Sequence, residues 1–580
     1  MIEKYLIKKS KAYLFWVLFI IANLFYFSPI IAQEYADLVL YNGTVITIDK
    51  NNTKAQAIAI SADTIIFVGS NKAVKNYINN STKVIDLNGQ TALPGFIDSH
   101  AHLIGTGKAK VILNLREAKN WDDIVSLVEN AVSLSKPGEW IVGRGWHQEK
   151  WIPKPANNVK GYPYHYKLSK VSPNNPVLLS HASGHAIFAN KKAMQIANIT
   201  SNTPNPNGGE IVRDNNGNPI GVFLEDAESL ISKKYQEYQL NKPAKELKKE
   251  KKKYINLAIE ECLSKGITTL HDAGATFEEL KLLKQMANQG KLKIRLYEMI
   301  LENYNSRKDS LKLFRTIGYG NKHLTIRAIK LYMDGALGSR GAWLLKPYSD
   351  LPNQSGLNVT PLSEIEKVAK LAIKNDYQVC THAIGDRANR TILNIYEKTF
   401  RSNSIKNKLR WRVEHAQHLS PKDIPRFSKL GVIAAMQGIH CTSDAPFVER
   451  RLGRKRTKFG AYVWRSLIEN GAIICNGTDS PVEDIDPIPN IYASVTRKTK
   501  DGTEFYPGQK MNRLEALKSY TINGAYAAFE ENLKGSLEIG KLADITVLSK
   551  NILTIPADEI LDTKVMMTIV GGKILFRRTN

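Results

Sequence analysis

Leu93-Pro94-Gly95-Phe96-Ile97-Asp98-Ser99-His100-Ala101-His102 decides how this chain is read. The stretch has the character of an apolar strand that ends in two histidines one residue apart. Side chains at i and i+2 of a strand share a face, so both imidazoles can reach one metal ion. Alone, a His-x-His is a weak signal, since histidines in a core strand are often only hydrogen-bonded packing residues. It gains weight if later strands also end in residues able to ligate.

They do. Seven further short apolar or β-branched runs stop at a polar residue: 266–272, 294–298, 326–330, 378–382, 411–415, 432–437 and 473–479. Helix-like stretches separate most of them. One is 363–375, where Ser363 and Glu366 form a capping box and Ile365, Val368, Leu371 and Ala372 recur at helical spacing. Strands alternating with helices predict a parallel sheet. Eight such strands fit an α/β fold, the (β/α)8 TIM barrel, whose chemistry sits at the C-terminal strand ends. Those ends carry His100, His102, Lys330, His382, His415 and Asp479, all at home in a metal site.

Other segments point the same way: Arg144-Gly145-Trp146, Lys330 to Arg340, His382 to Ala388, Glu414-His415-Ala416, Gly477 to Val482 and Gly535 to Asp544. With 93–102 they resemble the amidohydrolase superfamily, specifically amidohydrolase family 3, which includes N-substituted formamide deformylases. The matches run in the family's order and cover nearly everything after about residue 36.

In the expected site, His100 and His102 bind a first, more buried metal with the aspartate as a further ligand. His382 and His415 bind a second. Lys330 is instructive, because an ammonium cannot bind a cation. The resemblance implies that CO2 has carboxylated it to a carbamate bridging both metals. The alternative, an ordinary lysine paired with Asp334, leaves a single metal. Nitrogen ligands with carboxylate oxygens suit zinc best, with manganese, iron and cobalt open. Water on such a metal ionises near pH 7, and Asp479 is cast as proton shuttle to a leaving nitrogen; the other reading makes it a cap or turn residue before Pro481.

Trp146, His147, His185, Arg340, Gln437 and His440 fall in loops or strand ends expected to face the substrate cleft. Arg340 could hold a carboxylate or phosphate bidentately. Each is equally explained as loop scaffolding, and Tyr462 and Trp464 are read as lid or packing. Gly438 departs from the proline usual in that family, which puts the shape of its loop in doubt.

The 580 residues suggest more than one domain. Residues 1–32 carry Lys4, Lys8, Lys9 and Lys11 before an apolar run from Ala12 to Phe27, broken only by Asn23, and read as a secretory signal or, uncleaved, a membrane anchor. An exported protein, periplasmic or secreted, is expected. Residues 33–92 and 531–580 have short alternating strands, with Asn42-Gly43 as a hairpin-type turn, and are expected to pack as one small β-sandwich. Residues 93–530 form the barrel, with an insertion at about 104–260 suited to covering substrate.

Four cysteines without Cys-x-x-Cys spacing argue against a cysteine-held zinc and read as buried free thiols. The formal charge of +26 concentrates at Lys248–Lys253 and Arg450–Lys458, without the aromatics or motifs of a nucleic-acid binder. These clusters read as solvated faces. The partner expected is a small-molecule substrate; the N-terminus allows association with a membrane surface, and a homo-oligomer is left open. The leading function is hydrolysis of a non-peptide carbon–nitrogen bond: an amide, formamide, cyclic amide or N-acyl amine. Phosphoester or carboxylic ester hydrolysis on the same site is the first alternative, and a noncatalytic surface-binding protein the second.

Overall fold

The computed structural model describes residues 35–579 except 149–150, 182–185, 207–208, 339 and 404–407. The signal or anchor read at 1–32, and His185, lie outside the described residues. All eight expected strands are present: β1 (Phe96–Ala101), β2 (Ile267–Ala275), β3 (Arg295–Ile300), β4 (Leu324–Tyr332), β5 (Gln378–Ala383), β6 (Arg412–His415), β7 (Ile433–Met436) and β8 (Ile474–Asn476). Each pairs in parallel with its neighbour in sequence. Nearly every residue in them is buried, which is why they read as continuous apolar runs rather than alternating ones.

Helices cover the outside. Asp386–Ser402, between β5 and β6, buries Ala388, Ile392, Ile395, Tyr396 and Thr399 along one stripe. The helix before β5 spans Leu362–Lys374 and takes Pro361 as its N-cap, so the box expected at Ser363 does not form. Pro361 sets the boundary two residues earlier than Ser363, because the residue before a proline is disfavoured from the helical region.

The first and last strands meet at a seam. Asp479 donates its backbone N–H to the His100 carbonyl (2.7 Å) and His102 donates to Ser480 (2.8 Å). The Asp98 carboxylate accepts from the Thr478 hydroxyl at 2.6 Å and from its amide at 3.2 Å. Gly477 makes that approach feasible, since a Cβ there would stand 2.4 Å from the His100 nitrogen.

Strand 93–102 is broken by Gly95 into two. Thr91–Pro94 belongs to a second sheet, where it pairs antiparallel with Ile545–Leu548, while β1 starts the barrel. That sheet runs Lys573–Arg577, Val565–Val570, Ile545–Leu548, Thr91–Pro94, Thr44–Ile46, Lys54–Ala55. A four-stranded sheet, Thr64–Gly69, Ala57–Ser61, Leu38–Tyr41, Lys83–Asp86, faces it across a shared apolar core that includes Leu40, Ile58, Val547 and Ile569. Both chain ends therefore build one sandwich. The Asn42-Gly43 turn is not a hairpin: Leu38–Tyr41 and Thr44–Ile46 lie in different sheets, and the turn carries the chain between them.

The insertion is a folded unit with a six-stranded mixed sheet and its own core around Trp146, Trp151, Phe188 and Val222. Its turn-rich middle is a β-hairpin, Gly209–Arg213 with Pro219–Glu225. The four cysteines are buried and free. Part of the second basic cluster is structural: Arg456 donates to the carbonyls of Lys346 (2.9 Å) and Pro347 (2.8 Å).

Arg295 of β3 fastens barrel to sandwich. Its guanidinium donates to both oxygens of Asp544, at 2.7 and 2.9 Å, and both side chains are buried. Burial alone would raise the Asp544 carboxyl, but Arg295 outweighs it and holds the group below its ordinary 3.8. Asp544→Ala is expected to cost roughly 3–5 kcal/mol by stranding a buried guanidinium, read by denaturant unfolding. A depressed carboxyl stabilises fully above the unfolded pKa and loses that contribution as pH falls through the folded pKa. Asp544→Asn should therefore lose stability at neutral pH and flatten the acid side of the stability curve below pH 4, about the unfolded value. At the seam, Gly477→Ala should cost about 1–3 kcal/mol by overpacking. Gly508→Ala, where an added Cβ meets nothing within 4 Å, is the neutral control.

Candidate metal centre

The C-terminal barrel mouth gathers the strand-end residues. His100 and His102 leave β1 on one face, the second as the N-cap of the helix Leu103–Ala109. His102 Nε2 lies 3.2 Å and His100 Nε2 3.6 Å from Asp479 Oδ1. The His100 and His415 rings are 4.7 Å apart, and those of His415 and His382 4.5 Å. Lys330 sits two residues before the end of β4, fully buried, with Nζ 3.3 Å from His100 Nε2.

Two groups of ligand atoms lie within 4.8 Å of one another: His100, His102 and Asp479, and His415, His440 and Asp479. His382 joins neither; its Nε2 is buried without a hydrogen-bond partner, 3.7 Å from Asp334 Oδ1. His440, assigned above to the substrate cleft, instead stands with the ligand-competent residues, its Nδ1 3.0 Å from Gln417 Nε2. Its position in the first turn of the helix Gly438–Leu452 gave no periodic signal in sequence.

Electrostatics favour ligation. Burial and the Lys330 ammonium push His100 down to about 4 and His382 down to about 3, and burial with the neighbouring His382 holds His415 well below 6.5. These imidazoles are neutral at pH 7 and keep a lone pair. Burial would raise Asp479, but His102, His100 and His415 outweigh it and hold the carboxylate ionised. Burial also lowers the Lys330 amine. Neutral imidazoles, an ionised carboxylate and unpartnered Nε2 atoms at His382 and His440 are the donor set a divalent cation requires.

A buried network orients the donors. His100 Nδ1 bonds to Glu414 of β6, and Arg412 donates to Glu414 at 2.9 Å and to the Ser99 carbonyl at 2.6 Å. Arg412 and His100 overcome the effect of burial and keep Glu414 at about 2. His415 Nδ1 donates to Gln437 Oε1 at 2.7 Å. Anchoring Nδ1 fixes the tautomer and turns Nε2 to the site. Gln437 is thus a positioning residue, fully buried. Glu414 was quoted within a motif, but no spacing rule revealed that it serves a histidine more than 300 residues earlier.

Several expectations are corrected. Asp334 does not pair with Lys330: its carboxylate accepts the N–H groups of Trp343 (2.8 Å), Ile384 (2.9 Å) and Gly385 (2.8 Å). Among the described residues Lys330 has no carboxylate ion pair. Trp146 lies inside the insertion's core, its indole N–H on the Leu179 carbonyl at 2.8 Å. His147 packs against the His181 ring at 4.6 Å. Arg340 is engaged by Asp350 at 3.0 Å rather than left for a ligand. Tyr462 and Trp464 are packing residues, buried in the barrel's main core. Gly438 is locally required: its N–H donates to Asn476 at 2.9 Å, and a Cβ would meet Ser494 Oγ at 2.3 Å.

Gln437→Leu, which removes the acceptor of His415 while preserving bulk, should weaken metal binding roughly ten- to a hundredfold. Competition with a chelator reads this; unchanged affinity would detach His415 from the metal.

A model of the amidohydrolase family matches residues 83–576. The chain is 33% identical over 552 residues to the Arabidopsis thaliana protein LONG AFTER FAR-RED 3, covering 93% of this chain and 92% of that one. It is 28% identical over 556 residues to the N-substituted formamide deformylase of Arthrobacter pascens, covering 94% and 99%. Among solved structures, a metal-dependent hydrolase of Pyrococcus horikoshii superposes with a TM-score of 0.73 at 27% identity, over 90% of this chain and 99% of that one. The barrel, the histidines at its strand ends and a family match over most of the length place this chain in the amidohydrolase family, as a metal-dependent hydrolase.

Proposed function

We propose that the protein hydrolyses a carbon–nitrogen bond outside ordinary peptides, in an amide, formamide, cyclic amide or N-acyl amine. The observation that carries this is the approach of Asp479 to two separate sets of histidines at one barrel mouth. The deformylase relative, acting on N-substituted formamides by its name, supports this class.

His100, His102, His382, His415 and Asp479 are the proposed holders, with His440 beside them. Lys330, buried and without a carboxylate partner among the described residues, supports a carbamate: burial favours loss of the ammonium proton, and the free amine then adds CO2 and releases a second proton to give an anionic two-oxygen ligand. The nitrogen-and-oxygen donor set favours zinc. When bound, such an ion supplies Lewis acidity, polarising a carbonyl and making water acidic near neutral pH.

The chain's own residues then manage protons. Asp479, 9% exposed at its side chain and 3.2 Å from His102, accepts a proton from the attacking water and returns it to the leaving nitrogen. Glu414 and Gln437 keep His100 and His415 in one tautomer throughout.

Asp479→Asn should lower turnover at least a hundredfold while leaving the fold intact, measured on a panel of amides and formamides with thermal unfolding as control. Elemental analysis should find near two metal equivalents in wild type and fewer in Lys330→Ala. One equivalent in both would make the lysine structural. No bound metal in either would remove the proposal.

A further inference from the structure

A cavity of about 320 Å³, sharing no lining residue with the donor set, lies between the segments that follow β4, β5 and β6 and the helix Arg454–Gly460. Its size falls within the range of small-molecule sites. The body of the cavity is apolar, built from Leu345, Leu419, Leu452 and Phe459. Phe459 is 52% exposed, although an aromatic ring gains most when covered.

The polar groups around it are arranged unevenly. His418 lines the cavity at 2% exposure, and neither of its ring nitrogens has a hydrogen-bond partner. Burial holds this imidazole down to about 3, so it is neutral and offers one donor and one acceptor. A buried polar pair of this kind costs free energy until something satisfies it. At the rim, Lys346 and Lys455 are exposed and make no ion pair among the described residues. Two further charged groups line the cavity, Arg456 and Asp386, and the Arg456 and Arg390 guanidiniums face the Asp386 carboxyl. Arg456 donates to backbone carbonyls, and Asp386 accepts the Leu345 N–H at 2.8 Å.

We infer that this cavity binds a small monoanion, a carboxylate carried on an aromatic or aliphatic body, with the body against Leu419, Leu452 and Phe459 and the carboxylate toward Lys346 and Lys455. Charge complementarity selects the head group and the apolar walls select the body, while the unpaired His418 imidazole lies in the wall beneath it. The site is separate from the donor set yet joined to it by one turn. Gln417, next to His418, bonds to His440, and His418 donates its backbone N–H to Ile384 at 3.0 Å, one residue beyond the β5 end.

Isothermal titration with 4-phenylbutyrate tests this directly. Saturable binding is expected in wild type and in Asp479→Asn alike, and roughly tenfold weaker binding of the uncharged 4-phenylbutyramide. The double variant Lys346→Glu, Lys455→Glu, at two exposed positions, should lose at least tenfold in affinity with an unchanged melting temperature. Phe459→Ala, which trims an exposed ring, should weaken binding several-fold. Absence of saturable binding to folded wild type overturns the inference. So does binding that survives the charge reversal, or that disappears in Asp479→Asn, since either would put the ligand elsewhere.

Discussion

Asp98 accepts hydrogen bonds from the hydroxyl and amide of Thr478 where the first and last barrel strands meet. The barrel and its candidate site both depend on this contact. Gly477 lets the backbone close to within bonding distance, and closure brings Asp479 up to His100 and His102, residues nearly 380 positions earlier. The seam bonds join the two end strands at the barrel mouth, so one contact both covers the sheet's ends there and assembles the donors. Burial raises the Asp98 carboxyl to about 7, partly offset by those same bonds. The seam therefore carries a desolvation cost that only correct register repays.

Beneath the mouth, charge is handled by pairing. Arg412 and Glu414 are both fully buried, a situation in which two ions lose hydration worth several kcal/mol each. Their arrangement recovers part of this: Arg412 also binds the Ser99 carbonyl, and Glu414 also binds His100. The network reads as a device for orientation rather than for stability. It holds a neutral imidazole at a fixed angle inside a barrel whose interior is otherwise plugged by Tyr297, Met299, Ala328 and Cys380.

The barrel was legible in the sequence because strands buried on both faces are largely apolar, and because most of the proposed ligands fall at or just past the ends of those runs. His100, His102, His382, His415 and Asp479 stand out for that reason. What happens just past a strand end was not legible. His415 and Asp479 adopt positive φ, 72° and 58°, and such turns aim side chains independently of the two-residue period. His440 lies one helical turn beyond β7 and Asp334 two residues beyond β4, and their partners are amides or rings distant in sequence. Trp146 misled for the opposite reason. The insertion has a sheet of its own, so a motif that looked like loop was a core strand. Its strands are short and mixed in direction, and their pattern is weak against the turns between them.

The sandwich has a consequence for how the chain is made. Thr91–Pro94 pairs with Ile545–Leu548, so a strand synthesised early has no antiparallel partner until the chain is almost complete. Until then its backbone presents an open edge beside an unsealed barrel, a state that invites pairing between molecules. Contacts of such long sequence separation also slow folding. Each newly made molecule is therefore most vulnerable late in its synthesis, and a chain cut short before residue 545 would keep that open edge for its whole lifetime.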